Sequence, residues 1–230
     1  MPETTQSAPP AWLRRLYLPS YRVGDAAKYA GTSPQSVSYW HYGGGELGPA
    51  LGGKEKLAPL SYLQLIEVAF VATFRDAGLS LQKLRRTREY VSQVFKIDYP
   101  FARLKFKTDG LRVFLDLATE LPELGLDVVV TASEHGQEVW RGFVLDRFAQ
   151  FEYDTAHNLA IVWHPSPDHP LVSIDPRKRF GAPVIKGVPT WTLASRRRAG
   201  ESVAEIGYDF GLEDEEVEEG LDWEEINVAA

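Results

Sequence analysis

The sequence of 230 residues predicts an α+β protein with helices at both ends and strands in the middle. Apolar residues recur at helical spacing over residues 20–100, β-branched and aromatic residues dominate residues 101–163, and residues 171–230 contain three predicted short helices. We therefore divide the chain into an arm (1–19), a helical front domain (20–100), a strand-rich middle (101–163), a proline-rich linker (164–170) and a terminal three-helix domain (171–230).

Composition excludes several classes of function. The chain has no cysteine, which excludes a disulfide scaffold, a thiol nucleophile, a zinc finger and an iron–sulfur cluster. No stretch holds the roughly 18 uncharged apolar residues of a membrane span, and the polar, proline-rich first ten residues differ from a secretory signal. We expect a soluble cytoplasmic protein without a membrane partner.

Charge is distributed unevenly along the chain. Residues 1–107 carry 15 Lys and Arg against 8 Asp and Glu, whereas residues 201–230 carry 12 Asp and Glu and no Lys or Arg. Because each sign of charge attracts its complement, a basic front and an acidic end indicate two different partners.

The front domain begins with a predicted pair of short helices. Gly31 ends the first helix, and Ser33 caps the second, which has Pro34 at its first position. Val37 and Trp40 lie three positions apart and predict a small core between the helices. Four side chains then face outward: Gln35, Ser36, Ser38 and Tyr39.

Two longer helices follow a glycine-rich segment. Residues 60–74 show an amphipathic apolar pattern, Gly78 interrupts it, and Ser80 caps a helix over residues 81–95. That last helix carries four basic side chains within about two turns: Lys83, Arg85, Arg86 and Arg88.

The helix pair of residues 23–42 and the two helices after it resemble the DNA-binding helix-turn-helix domain of the MerR family. The sequence departs from that family at Ser38, where arginine is usual, and at Trp40, where a second tyrosine is usual. The resemblance implies DNA binding and dimerisation, with residues 81–95 as a candidate dimer helix, and a twofold dimer would match a palindromic operator.

Physical reasoning also supports DNA binding by the front. A helix capped by Ser33 can enter the major groove with its N-terminus first, which would bring Gln35 and Ser36 near base edges, while basic side chains meet phosphates. The alternative is that the basic residues only coat solvent-facing sides of helices, or that the helix pair contacts protein. The predicted DNA-binding residues are Arg22, Ser33, Gln35, Ser36, Ser38, Tyr39, Lys54, Lys56, Arg85 and Arg86.

The middle segment has strand patterns at residues 104–117, 128–133, 140–154 and 158–165. Its aromatic residues predict a core or a dimer surface, and the alternative is a ligand pocket of the effector-binding kind. These residues are Phe106, Phe114, Trp140, Phe143, Phe148, Phe151, Tyr153 and Trp163.

The terminal domain has a more specific pattern. Ile174 and Pro176 precede the turn of residues 181–187, a helix ends at residues 199–200, and Ser202 and Leu212 introduce two further helices. This run resembles the small VapB-like antitoxin domain, formerly an unknown-function family numbered four-three-three. The resemblance implies a homeodomain-like three-helix fold and, as partner, a PIN-like ribonuclease toxin encoded beside the antitoxin gene.

The third terminal helix would be the recognition helix of a homeodomain-like unit, yet it is rich in carboxylates. Phosphates within the roughly 8 Å screening length would repel it, so we expect it to face protein, and we predict that it covers the basic RNA-binding surface of the toxin. The alternative is a capped, solvated helix. The predicted toxin-binding residues of this helix are Glu215, Glu216, Glu218, Glu219 and Trp223.

Two arginine clusters lie in the same domain. One of Arg196, Arg197 and Arg198 could reach the carboxylate-rich metal site of a PIN-like nuclease, because arginine pairs bidentately with carboxylates. Pairing within the chain or simple solvation is the alternative, and it applies equally to residues 177–179.

No motif indicates catalysis, a metal site or a cofactor. The five histidines (His41, His135, His157, His164 and His169) lack metal-ligand spacing, and residues 43–45 lack the lysine and serine of a phosphate loop. Ser133, Glu134 and His135 are adjacent in sequence, but adjacency is no evidence for a catalytic triad, which is built from residues that converge in space.

The sequence therefore predicts a non-enzymatic type II antitoxin that binds a PIN-like ribonuclease toxin and represses its own operon, as a homodimer or a toxin–antitoxin hetero-oligomer. The first alternative is a one-component MerR-like regulator whose middle segment senses a small molecule. The second is an interaction adaptor that binds neither DNA nor toxin, and salt-dependent DNA binding would distinguish it.

Overall fold

The computed structural model describes residues 10–43, 48–52, 54–76, 78–103 and 148–225, and it confirms the α+β class. Those residues form eight α-helices and a five-stranded sheet. The strands predicted at residues 104–117 and 128–133 lie outside the described residues. The elements are α1 (Ala11–Arg15), α2 (Val23–Tyr29), α3 (Pro34–Tyr42), α4 (Tyr62–Asp76), α5 (Leu81–Phe95), β1 (Phe151–Asp154), β2 (Leu159–Trp163), β3 (Ser173–Ile174), β4 (Pro183–Ile185), β5 (Val188–Pro189), α6 (Thr190–Arg198), α7 (Val203–Phe210) and α8 (Asp214–Trp223).

The short helix pair at the front forms as its sequence signals predict. Gly31 adopts φ +61° after α2, and the Ser33 side chain accepts a hydrogen bond of 3.0 Å from the backbone N–H of Ser36 at the start of α3. Val37 and Trp40 are buried. The outward face of α3 is therefore fixed by the burial of its apolar face.

Helix α4 is the central helix of the front, because side chains on nearly all of its sides are buried. Helix α5 packs beside it, and Ser80 caps α5 by accepting a hydrogen bond of 3.3 Å from the N–H of Lys83. The Nε of Arg88 donates to Oε2 of buried Glu67 at 2.9 Å, which joins α5 to α4.

The sheet is an antiparallel meander in the order β1-β2-β3-β4-β5. Strand β2 is buried throughout, and Trp163 at its end pairs with Ile174 of β3. The predicted linker, residues 164–170, thus connects two neighbouring strands of one sheet. Its three prolines prevent regular structure locally, but they do not separate the strands on either side of it.

Buried apolar side chains form two clusters. The front cluster combines α1 to α5 with β1 and β2 and extends to Ile174, whereas the terminal cluster combines Val172 and Ile185 with α6, α7 and α8. The border between the clusters falls inside the sheet, beside β3. The domain boundaries predicted from sequence stay a prediction.

The second and third terminal helices begin just after Ser202 and Leu212, as the sequence predicts. Ser202 and Glu205 form a capping box at the start of α7, and Gly211 at φ +65° ends that helix. Glu213 and Glu216 form the same arrangement at the start of α8. No helix in the described part of the chain has the length and apolar character of a membrane span.

Candidate functional site

The outward face of α3 presents the side chains predicted to read DNA. Gln35 and Tyr39 are exposed, and Ser36 is half-buried with its Oγ 2.9 Å from the Oγ of Ser33. These residues line an open groove of about 640 Å³. A Cβ at Gly43 would lie 2.7 Å from the backbone carbonyl oxygen of Tyr39, so glycine is favoured where the chain leaves α3.

Sequence reasoning missed Arg75 as a candidate in the same groove. Arg75 is exposed near the end of α4, lines the groove with Gln35 and Tyr39, and donates a hydrogen bond of 2.5 Å from its Nη1 to the carbonyl of Leu79. The one sequence signal for Arg75 is a basic residue shortly before Gly78, which follows the end of α4. Asp76 lines the groove as well and places a negative charge beside this arginine.

The other predicted phosphate-binding residues differ in how they are placed. Arg22, Lys56 and Arg86 are exposed. Lys54 is half-buried, bonds to the carbonyl oxygens of Glu55 and Ala58, and lies 5.4 Å from the centre of the Tyr42 ring. Ser38 is also half-buried.

Arg85 corrects the sequence-based expectation. Only 6% of this residue is exposed, and its Nε donates to the carbonyl of Pro49 at 3.4 Å. Along α5 it neighbours buried Leu84 on the inward face, so it supports the loop before α4 and is badly placed to meet phosphate. The number of charges on a helix does not reveal which of them face inward.

His41 holds the same loop against α3. Its Nδ1 lies 2.9 Å from the carbonyl oxygen of Gly52, so Nδ1 is the protonated, donating nitrogen. Burial lowers the pKa of His41 to about 4, which keeps the ring neutral at neutral pH. A neutral buried ring makes His41 a structural support of the α3 surface.

The acidic helix α8 has an exposed and an inward side. Asp214, Glu215, Glu218 and Asp222 are exposed and lie within about 100° of arc at 100° per residue. We call these four residues the acidic stripe. A carboxylate row of this kind attracts a basic surface and repels phosphate.

The other two predicted glutamates of α8 make contacts inside the chain. Glu216 pairs with Lys186 at 2.6 Å and accepts from the N–H of Glu213, and both contacts lower its pKa. Glu219 accepts a hydrogen bond of 2.6 Å from the N–H of Leu171. These glutamates hold the terminal helices to the loops beside them.

Trp223 is buried where α8 meets α2. Its ring stacks on Tyr29 with centroids 5.9 Å apart, and the Nζ of Lys28 lies 5.8 Å from the ring centre. Lys28 also reaches Glu224 at 3.7 Å. With 7% of the residue exposed, Trp223 serves a contact within this chain, and its predicted contact with a toxin stays a prediction.

The three arginines at the end of α6 are placed differently from one another. Arg196 pairs with Glu201 and with Asp209, the latter at 2.5 Å, and these hydrogen bonds raise its pKa. Arg197 donates to the carbonyl of Glu201 at 3.2 Å. Arg198 is exposed. Arg196 is therefore paired within the chain, as the alternative interpretation has it. Arg198 is the most exposed of the three arginines.

The other histidines among the described residues, His157, His164 and His169, each pair with a carboxylate. His164 pairs with Glu152 at 2.9 Å and His169 with Asp222 at 3.0 Å, both at the surface. In the parts of the chain that the structure describes, no three His, Asp or Glu side chains are grouped to hold a metal ion. Ser133 and His135 lie outside those parts.

The aromatic residues of the middle segment that the structure describes belong to a core. Phe148, Phe151 and Trp163 are buried, and Tyr153 packs against the same cluster. Four members of the set lie outside the described residues, so the predicted ligand pocket stays a prediction: Phe106, Phe114, Trp140 and Phe143.

Comparison with known proteins adds three findings. Residues 172–223 match a family described as a protein of unknown function, DUF433. Over 90% of its length the chain is 22% identical to the candidate antitoxin VapB45 of Mycobacterium tuberculosis, covering 95% of that protein. The X-ray crystal structure of Rv2018 from Mycobacterium tuberculosis superposes with a TM-score of 0.66 at 21% identity, over 90% of this chain and all of that one. The chain thus shares its fold with a solved bacterial protein, and the sequence matches support a relationship with antitoxin-like proteins.

Proposed function

We propose that this protein is the antitoxin of a type II toxin–antitoxin system, that it neutralises a PIN-like ribonuclease toxin by direct binding, and that it represses its own operon through DNA binding. The observation that carries the proposal is the match to an antitoxin-named protein over nearly the whole length of both chains. The mechanism is stoichiometric coverage of the toxin, so it requires neither a catalytic residue nor a cofactor.

The acidic stripe of α8 is the proposed toxin-binding surface. A ribonuclease must present a basic surface to its RNA substrate, and a row of carboxylates on the antitoxin would mimic the RNA phosphates there. Charge complementarity of this kind accelerates association and selects the partner. Glu216, Glu219 and Trp223 would contribute by holding α8 in position, and Arg198 would lie at the edge of the contact.

A pull-down of the product of the adjacent gene tests this surface. Glu215→Lys/Glu218→Lys reverses two exposed charges that serve no contact in the core, so toxin binding should weaken at least tenfold while the fold persists. The matched control is Glu55→Lys/Glu89→Lys, which reverses two exposed carboxylates on the front of the molecule. Equal retention of toxin by both double variants would reject the surface.

The α3 face is the proposed operator-binding surface. Gln35 and Ser36 stand at the exposed start of a capped helix, the position from which recognition helices contact base edges. The exposed cations that we propose as phosphate contacts are Arg22, Lys56, Arg75 and Arg86. The surface would be completed by Ser38, Tyr39 and Lys54. A homodimer would present two such helices to a palindromic site.

A gel-shift assay with the DNA upstream of the gene tests this second surface. Gln35→Ala/Ser36→Ala should lower affinity for the operator far more than for unrelated duplex, because base contacts carry about 1–3 kcal/mol of discrimination each. Gln93→Ala/Ser195→Ala, at two exposed positions elsewhere, is the matched control. Unchanged discrimination in the α3 variant would reject base reading by this helix.

A further inference from the structure

A second basic surface lies where α1 meets the loop before β4, and it shares no residue with the α3 face. Arg14 and Arg15 end α1, and the guanidinium carbon of Arg15 lies 5.0 Å from the centre of the Phe180 ring. Lys178 and Arg179 immediately precede that phenylalanine and are exposed. We call Arg14, Arg15, Lys178, Arg179 and Phe180 the basic–aromatic patch.

Phe180 is presented to solvent in an unusual backbone conformation. Phe180 is 76% exposed. Arg179, Phe180 and Gly181 adopt φ values of +44°, +58° and +80°. A phenylalanine in the left-handed region is uncommon and unfavourable, and such residues concentrate at functional sites. The conformation is held by the hydrogen bond from Arg179 Nε to the carbonyl of Gly187 (3.2 Å) and from Tyr21 Oη to the carbonyl of Gly181 (3.0 Å).

Neighbouring charges leave this patch basic. Arg177 is the one cation of the loop that pairs with a buried carboxylate, that of Asp175, at 2.8 Å, so we leave it out of the patch. The described structure gives no salt bridge to Arg14, Arg15, Lys178 or Arg179. Arg14, Lys178 and Arg179 are exposed, and half-buried Arg15 lies against the Phe180 ring, so the patch offers unpaired cations beside an exposed ring.

A small recess adjoins Phe180. It holds about 130 Å³ and is lined by Arg15, Leu18, Ser20, Tyr21 and Tyr62 as well as Phe180. The volume equals about four water molecules at ~30 Å³ each and is well below the ~300–1,000 Å³ of sites that enclose a metabolite-sized ligand. A recess of this size suits one flat ring that belongs to a longer molecule.

We propose that the basic–aromatic patch binds single-stranded nucleic acid. Cations that follow the backbone, combined with exposed rings on which bases stack, are the recurring chemistry of single-strand binding. Duplex DNA keeps its bases stacked on one another and cannot use Phe180 in this way. The patch is thus distinct in chemistry from the α3 face, which offers amide and hydroxyl groups to a groove.

Fluorescence anisotropy with the full chain tests the patch. The probes are labelled oligo-dT and oligo-U strands of about 12 nucleotides, within the site sizes of single-strand binders, and a duplex of equal length. Phe180→Ala should weaken binding of a single strand about tenfold or more, whereas Tyr208→Ala, which removes a residue 89% exposed on α7, should not. Tighter binding of oligo-U than of oligo-dT would identify RNA as the ligand. Equal binding would show that the patch accepts a single strand of either sugar.

Salt dependence provides a second readout. Arg14→Gln/Lys178→Gln should reduce the slope of log affinity against log salt by about 1.4, at about 0.7 per phosphate contact on a single strand. Gln35→Ala/Ser36→Ala should leave single-strand affinity unchanged, so failure of this inference is distinguishable from failure of operator binding. Urea midpoints for every variant exclude loss of fold as the cause.

The inference fails if the oligonucleotides do not bind at low salt. It also fails if the duplex competes as well as the single strands, or if Phe180→Ala behaves like Tyr208→Ala. Binding of polyglutamate without binding of oligonucleotides would assign the patch to an acidic protein instead.

Discussion

Gly181 joins the front of the molecule to its terminal domain. The Tyr21 hydroxyl, 160 residues away in sequence, donates to its carbonyl, and a Cβ at this position would lie 2.0 Å from that hydroxyl oxygen. The glycine also adopts φ +80°, where side chains with a Cβ are strained. The sequence pattern predicted a turn over residues 181–187, but no local signal could reveal the distant tyrosine that packs against it.

Gly181→Ala should lower the free energy of unfolding by more than about 2 kcal/mol, since left-handed backbone costs about 1–2 kcal/mol for a residue with a Cβ and the clash adds to it. Tyr21→Phe removes the nearest atom, so the double variant should lose less than the sum of the two single variants. Urea unfolding of all three variants measures the coupling. Strict additivity would show that the two residues do not meet.

The buried ring of His41 makes stability depend on pH. Its pKa of about 4 in the folded chain lies below the ordinary 6.5, so the unfolded chain takes up the proton first as pH falls. The stabilisation is complete above pH 6.5 and is lost progressively as pH falls from 6.5 to 4, by about 3 kcal/mol in all. His41→Asn, which keeps a donor near the Nδ1 position, should flatten the dependence in that range. His164→Asn, at the surface, is the control, and an unchanged pH profile in His41→Asn would contradict the assignment.

At the scale of elements, caps and periodicity predicted the helices well. Ser33, Ser80 and Ser202 each cap the helix that the sequence assigns to them. It is harder to predict which charged side chains point inward, because α5 carries inward-pointing Arg85 and Arg88 as well as exposed Arg86. The stripe of Leu84 and Val91 could indicate Arg88, since positions 84, 87, 88 and 91 lie on one side of a helix, but Arg85 lies about 100° from Leu84 and outside that stripe.

The Glu67–Arg88 pair tests the packing of α4 on α5. Burial raises the pKa of Glu67 and the guanidinium of Arg88 opposes that shift, so removing Arg88 leaves a carboxylate in the core without its counter-charge. Arg88→Ala should cost about 3–5 kcal/mol of stability. Glu67→Gln/Arg88→Met should cost clearly less, because it removes both charges and retains volume. Thermal or urea unfolding measures the stability of each variant. A double variant as unstable as Arg88→Ala would show that the unpaired charge of Glu67 is not the cause of the loss.

At the scale of the whole molecule, the sheet and the α2–α8 contact connect parts that the sequence assigned to separate domains. Pairing of Trp163 with Ile174 takes the sheet across residues 164–170, and Trp223 packs on Tyr29. Composition shifts and prolines mark where local structure changes, whereas strand pairing and helix docking between distant residues have no local signature. The acidic stripe was predictable as a charge run, but its division into exposed and inward residues required the contacts of Lys186 and Leu171.

Hydrogen exchange tests whether the terminal domain supports the front. Trp223→Ala should increase exchange of the α2 amides as well as those of α8, because it removes the ring that covers Tyr29. Leu193→Ala, in the same buried terminal cluster, should act more weakly on α2. Unchanged protection of α2 in Trp223→Ala would mean that the two parts fold independently.

We propose that one chain holds operator DNA at α3 and a toxin at α8 through separate surfaces. The most direct measurement is native mass spectrometry of the chain co-purified with the product of the adjacent gene and then mixed with the upstream DNA. We expect a single assembly that contains protein, toxin and duplex together. An assembly from which DNA expels the toxin, or a chain that binds neither, would contradict it.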